Sequence, residues 1–184
     1  MATTEIKIGG LGGQGVILAG MIIGKAAALF DKKDATLTQA FGPEARGSAC
    51  SAQVIVSDTQ ILYPYVTKPH IMVVLSQDAF NRFSPELRPD GMLIYEQDLV
   101  KLGNLPPTVK TFGVPATRIA EELGRKMVVN IVVVGFFCAV TGLVGLDAMR
   151  RAVKASVPAG TEELNLKAFD RGYAYGQELL KNNA

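Results

Sequence analysis

The sequence predicts an α/β fold: a Rossmann-like open, mostly parallel sheet with helices on both faces and one antiparallel hairpin. Three observations carry this. Short β-type runs alternate with helix-length runs and glycine punctuation through the first third of the chain. Ile71 to Leu75 (IMVVL) is a continuous apolar run of the kind shown by a central strand buried on both faces. Ser57 to Gln60 supplies a turn before a short β-type run stopped by Pro64, the pattern of an antiparallel return. At 184 residues, 48% hydrophobic and 20% charged, the chain has the size and apolar content of one domain, 1–184, with its own core.

In chain order, Glu5 to Ile8 is a short strand entering the glycine loop Gly9 to Gly15. Val16 to Phe30 has helix length and is apolar on nearly every face, so it packs on two sides. Asp34 to Ala40 reads as the second strand. Phe41 to Ser48 is a loop, because Pro43 and two glycines forbid a regular element. Cys50 to Val56 alternates as a strand, and Ile61 to Tyr63 is its expected return. After Ile71 to Leu75, Ser76 ends the strand and a short helix runs from Gln77 to Phe83. Met92 to Tyr95 and Val109 to Phe112 are the last strands, and Pro115 opens a helix reaching Leu123. Three helical stretches follow. The last, near Asn165 to Lys181, carries Phe169, Tyr173, Gly176 and Leu180 as a packing stripe.

Several function classes fall away on composition. A net charge of +2, dispersed along the chain, gives no basic stripe for nucleic acid or anionic lipid. Two distant cysteines, Cys50 and Cys138, and one histidine, His70, are too few soft ligands for a zinc site or an iron-sulfur cluster. They fit a reducing cytoplasm at least as well as a secreted disulfide framework. Val16 to Ile23 imitates an export signal, but Glu5 offsets Lys7 where such a signal is positive. Met127 to Leu146 is uncharged over a length that could span a bilayer. Asn130 and Thr141 interrupt it, so a buried or subunit-facing helix is expected, with this stretch a candidate interface in an oligomer.

Two loops could carry chemistry. Gly10 to Gly15 fits G-x-G-x-x-G between a strand and a helix, where free amides and the positive helix end attract an anion. A dinucleotide site further needs an acidic residue at the tip of the second strand. Thr38, Gln39 and Ala40 stand there instead, and Asp31 and Asp34 lie at the strand's start. A glycine turn serving only tight packing remains the plain alternative. The second loop, Gln39 to Ser48, presents Glu44 and Arg46 between Gly42 and Gly47, at the sheet edge where ligands of open α/β sheets bind. Arg46 can meet a phosphate or carboxylate with a fork of donors, or pair with Glu44 to pin the loop. His70, Cys50 and the Tyr63-Pro64-Tyr65 run are given no catalytic role.

Gly12-Gly13-Gln14-Gly15-Val16, then Gln39-Ala40-Phe41-Gly42-Pro43-Glu44-Ala45-Arg46-Gly47, then Ser57-Asp58 and Tyr63-Pro64, resemble the gamma subunit of the 2-oxoacid:ferredoxin oxidoreductases. The likeness covers essentially the whole chain, including Asn130, Asn165 and Ala168-Phe169, and is greatest for the 2-oxoglutarate enzymes. Ser48 departs from it, since members commonly have a second glycine there. The resemblance implies a subunit of an enzyme that decarboxylates a 2-oxoacid, joins the acyl group to coenzyme A and passes electrons to ferredoxin. It further implies thiamine diphosphate and magnesium on alpha and beta subunits, and iron-sulfur clusters on a ferredoxin-like subunit. This chain then binds no cofactor alone and contributes positioning, enclosure or substrate binding. The expected site is Gly12, Gly13, Gln14 and Gly15 with Gln39, Gly42, Pro43, Glu44, Arg46 and Gly47, seating coenzyme A or shielding the thiamine intermediate, with no catalytic residue assigned. Pyruvate, ketoisovalerate or indolepyruvate as substrate, an assembly scaffold, and a free-standing nucleotide-binding protein are the alternatives.

Overall fold

The structure, a computed structural model, describes residues 3–41 and 49–182. Its frame is a six-stranded sheet of β1 (Thr3–Leu11), β2 (Asp34–Ala40), β3 (Ala49–Ser57), β4 (Ile71–Val74), β5 (Met92–Glu96) and β6 (Lys110–Val114). The spatial order is β2-β3-β1-β4-β5-β6. β1, β4, β5 and β6 pair in parallel, whereas β3 runs antiparallel to both β1 and β2. β2 therefore points the same way as β1 but is separated from it by β3.

The expected antiparallel pairing is present, but between the consecutive strands β2 and β3 and not between β3 and a return strand after Ser57. Ile61 to Tyr63 forms no strand. Both edges of β3 are already taken, Leu11 meeting Ala49 on one side and Ala40 meeting Ser51 on the other. With no free edge to pair with, the chain after Ser57 crosses the amino edge of the sheet irregularly. There the Glu5 carboxylate accepts from the Thr67 and Lys68 amides at 2.9 and 3.0 Å. The insertion of β3 also breaks the dinucleotide-binding unit, because the tip of β2 sits two strand spacings, roughly 10 Å, from the tip of β1.

Among the described residues six α-helices cover the sheet: α1 (Val16–Lys25), α2 (Gln77–Phe83), α3 (Ala116–Glu122), α4 (Val129–Thr141), α5 (Leu146–Lys154) and α6 (Glu162–Asn182). α1 continues into a wider helical turn, Ala26–Phe30, so the long apolar run is helical to its predicted end. One face of the sheet carries Ile6, Ile8, Val54, Val73 and Ile94, packed with buried residues of α1, α3, α4, α5 and α6. The other face carries Met72, Val74 and Leu93 beneath Ala79, Phe80 and Phe83 of α2. Helices thus lie on both faces, as expected.

The uncharged run at Met127 to Leu146 resolves into α4, whose residues Asn130 to Val140 are all buried inside the chain. Gly135 and Gly172 let α4 and α6 touch backbone to backbone, since a Cβ at either would strike a carbonyl of the other helix. Intrachain burial accounts for the middle of the apolar run, while Met127 and Leu146 at its ends stay exposed. Among the described residues no helix is long and apolar enough to cross a membrane. The stripe on α6 is packing: Phe169 and Gly176 are buried, with Tyr173 and Leu180 packed against the same core.

Candidate functional site

The parallel strands end at one rim, and three helices begin there. α2 starts after β4 with Ser76 as its cap, the Oγ accepting from the Ala79 amide at 3.2 Å. α3 starts after β6, and the Glu96 side chain, wholly buried at the end of β5, caps it. Glu96 Oε2 accepts from the Thr117 amide at 2.7 Å and its hydroxyl at 3.0 Å, while Oε1 accepts from the Asp98 amide at 3.1 Å. α1 starts after β1 at Gly15, with no side-chain cap and no acidic residue in its first turn. Its leading N–H groups face the rim without a partner from any described side chain, which makes them donors for an anion.

The glycine loop is fixed from two sides. Gln14 reaches back into the sheet: its Oε1 accepts from the Leu11 amide at 2.7 Å, and its Nε2 donates to the Leu75 carbonyl at 3.0 Å. Gln14 thus shapes the loop from within, and its carboxamide is not available to cap α1. Gly15 has φ +72°, a left-handed conformation that glycine adopts without cost. Its carbonyl accepts from the Ala19 amide at 3.0 Å and from Asn130 Nδ2 at 3.3 Å. Gly13, also at positive φ, has open space where a Cβ would stand, so the loop's crest is free to be approached.

Beside this loop lies a cavity of about 320 Å³, between Gly13, Gly15 and Leu18 on one side and Arg125, Asn130 and Asn165 on the other. Apolar side chains such as Val128, Val157 and Leu164 line most of it. Arg125 is exposed at its border. Asn165 Nδ2 donates to the Thr161 carbonyl at 2.9 Å, holding the start of α6. Neither Arg125 nor Thr161 was singled out in the sequence, and no local pattern marks them. Asn130 left one signal, as a polar residue in an apolar run.

The second loop is anchored at the same rim. Gln39 is exposed near the tip of β2, and Ala49 opens β3 directly opposite Leu11. Gly42, Pro43, Glu44, Arg46, Gly47 and Ser48 lie outside the described residues. The flanks of both loops therefore share one edge of the sheet.

The remaining reactive groups are structural. The His70 ring accepts from the Glu5 amide at Nδ1, 3.0 Å away, and lies against Arg88 at Nε2, 2.8 Å away. Burial and then the Arg88 charge hold its pKa below the usual histidine value. Burial raises the Cys50 thiol above its usual value and pushes Cys138 up to about 11, so both favour the protonated, unreactive form at neutral pH. Among the described residues no group of three or more His, Cys, Asp or Glu side chains could hold a metal ion.

The chain is similar to several known proteins. Residues 5–175 match the family described as pyruvate ferredoxin/flavodoxin oxidoreductase. The 2-oxoglutarate synthase subunit KorC of Methanocaldococcus jannaschii is 45% identical over 177 residues, covering 95% of each chain. The solved gamma subunit of a keto/oxoacid ferredoxin oxidoreductase from Geobacter sulfurreducens superposes with a TM-score of 0.83 at 37% identity, covering 95% of this chain and 99% of that one. The 2-oxoglutarate:ferredoxin oxidoreductase of Magnetococcus marinus, solved with 2-oxoglutarate, coenzyme A and succinyl-CoA bound, shares the fold at a TM-score of 0.86 and 18% identity, covering 97% of this chain and 32% of that one. The protein thus belongs to the pyruvate ferredoxin/flavodoxin oxidoreductase family, as a gamma-type subunit of a 2-oxoacid:ferredoxin oxidoreductase.

Proposed function

We propose that residues 1–184 act as one gamma-type domain of a cytoplasmic 2-oxoglutarate:ferredoxin oxidoreductase and complete its coenzyme A site. The observation that carries this is the uncapped start of α1 at the rim, beside an open cavity and on the sheet edge that also holds Gln39 and Ala49. The fold relative solved with coenzyme A bound and the KorC relatives named for 2-oxoglutarate synthase support the choice of ligand and substrate.

In this reading the chemistry is divided. Alpha and beta subunits hold thiamine diphosphate with magnesium, a ferredoxin-like subunit holds the iron-sulfur clusters, and ferredoxin takes the electrons. Coenzyme A supplies the thiol that carries off the acyl group. This chain binds and orients. The amides of Gly13, Gly15 and the first turn of α1, a turn that carries no acidic residue, meet a phosphate. Gly12 and Gln14 hold the loop that presents them, while Arg46 adds a forked pair of donors beside Gln39, Gly42, Pro43, Glu44 and Gly47.

The holoenzyme reconstituted from all subunits tests this. Arg46→Ala is expected to raise KM for coenzyme A by roughly tenfold or more, the loss of a charge-assisted hydrogen bond. Unchanged coenzyme A dependence together with an unchanged decarboxylation half-reaction would refute the reading. Loss of assembly with normal turnover in whatever complex remains would instead make these loops a subunit contact.

A further inference from the structure

Resting on that reading of the rim, the geometry points to Asn130 as a positioning residue that keeps the α1 start both shaped and vacant for an anion. Asn130 is only 3% exposed, in the first turn of α4, and 115 residues from the glycine it holds. Its Nδ2 donates to the Gly15 carbonyl at 3.3 Å, and its side chain fills the space that any Cβ at position 15 would claim. Asn130 thereby fixes the left-handed Gly15 and hence the direction in which the following amides point.

The chemistry of a carboxamide matters here as much as its shape. Aspartate, the residue of the same size, favours helix starts because its carboxylate takes the free amides and complements the helix dipole. Placed at 130 it would face the partial negative charge of the Gly15 carbonyl oxygen and set a full negative charge beside the loop that opens α1. Asparagine holds the loop with a donor and brings no charge to compete with a ligand phosphate. Among the described residues no donor reaches its Oδ1, which remains as a spare acceptor on the cavity wall.

The test compares Asn130→Asp and Asn130→Ala in the reconstituted holoenzyme, reading KM for coenzyme A against KM for the 2-oxoacid. At about pH 8, Asn130→Asp should raise the coenzyme A KM about tenfold, a charge effect at a partly buried helix start, and move the 2-oxoacid KM less than about twofold. That penalty should shrink as pH falls toward the carboxylate range near about 4, and as salt rises, because both remove the competing charge. Asn130→Ala, which removes the donor without adding charge, should raise the coenzyme A KM about threefold with no new pH dependence. A purely structural asparagine would lower thermal stability in both variants and shift both KM values together, independent of pH, and that result overturns the proposal. Should Asn130→Asp fail to assemble, a wild-type coenzyme A KM in Asn130→Ala overturns it equally. If Arg46→Ala impairs coenzyme A use while both Asn130 variants do not, the positioning role alone is wrong. If none of the three does, the coenzyme A site itself falls as well.

Discussion

Three helices leave the same rim of one sheet, and they differ in how their first turns are satisfied. α2 is closed by Ser76 and α3 by the buried carboxylate of Glu96, each a side chain from the strand end beside it. α1 begins on glycine, and the two amide side chains nearest it are turned to other work, Gln14 into the sheet and Asn130 onto the Gly15 carbonyl. Among the described residues two starts are capped by side chains and the third is not, and the proposed binding role falls on the third. The capped starts contribute stability; the uncapped one is where the proposed function lies.

The sharpest way to break the comparison is to spoil the open start. Gly15→Ala forces a side chain into a left-handed residue and against buried Asn130, and should cost about 3 kcal/mol from backbone strain and overpacking, seen as a lower Tm. Glu96→Ala strips the buried cap of α3, leaves the Thr117 and Asp98 amides unanswered, and should cost about 2 kcal/mol in denaturant unfolding. Ser76→Ala removes the simpler cap of α2 for about 1 kcal/mol. Neither cap variant should alter the coenzyme A KM at equal folded fraction; if either did so as strongly as Arg46→Ala, the division between closed and open starts would be wrong.

The smallest effect lies at the opposite edge of the sheet. His70 is held neutral by burial and by Arg88, so its folded pKa is below that of the unfolded chain. Unfolding then takes up a proton, and stability falls as pH drops below the ordinary histidine value near about 6.5, until the folded pKa is passed. Unfolding midpoints across that window should fall for the wild type and flatten for His70→Gln.

How far the sequence speaks differs among the starts too. Ser76 before Gln77 to Phe83 and Pro115 before the next helix are local signals, and both helices stand where they were read. The apolar run at Met127 was legible as a buried helix but not in its packing, because the Gly135 and Gly172 contact joins residues distant along the chain. Ile61 to Tyr63 has the composition of a strand, yet strand formation needs a free edge, and the occupancy of β3 on both sides is a tertiary fact. Gln14 reads from sequence as a loop amide facing ligand, and only coordinates reveal that both ends of its carboxamide are used by Leu11 and Leu75. The glycine motif marks where the proposed site is; the long-range hold of Asn130 on it, like the place of Arg125 at the cavity, has no local signature.

Hydrogen exchange of the reconstituted holoenzyme with and without coenzyme A addresses the open start most directly. Coenzyme A should slow exchange in peptides spanning Gly13 to Leu18 and leave those spanning the starts of α2 and α3 as they were. Equal exchange in the Gly13 to Leu18 peptides with and without saturating coenzyme A would contradict the account.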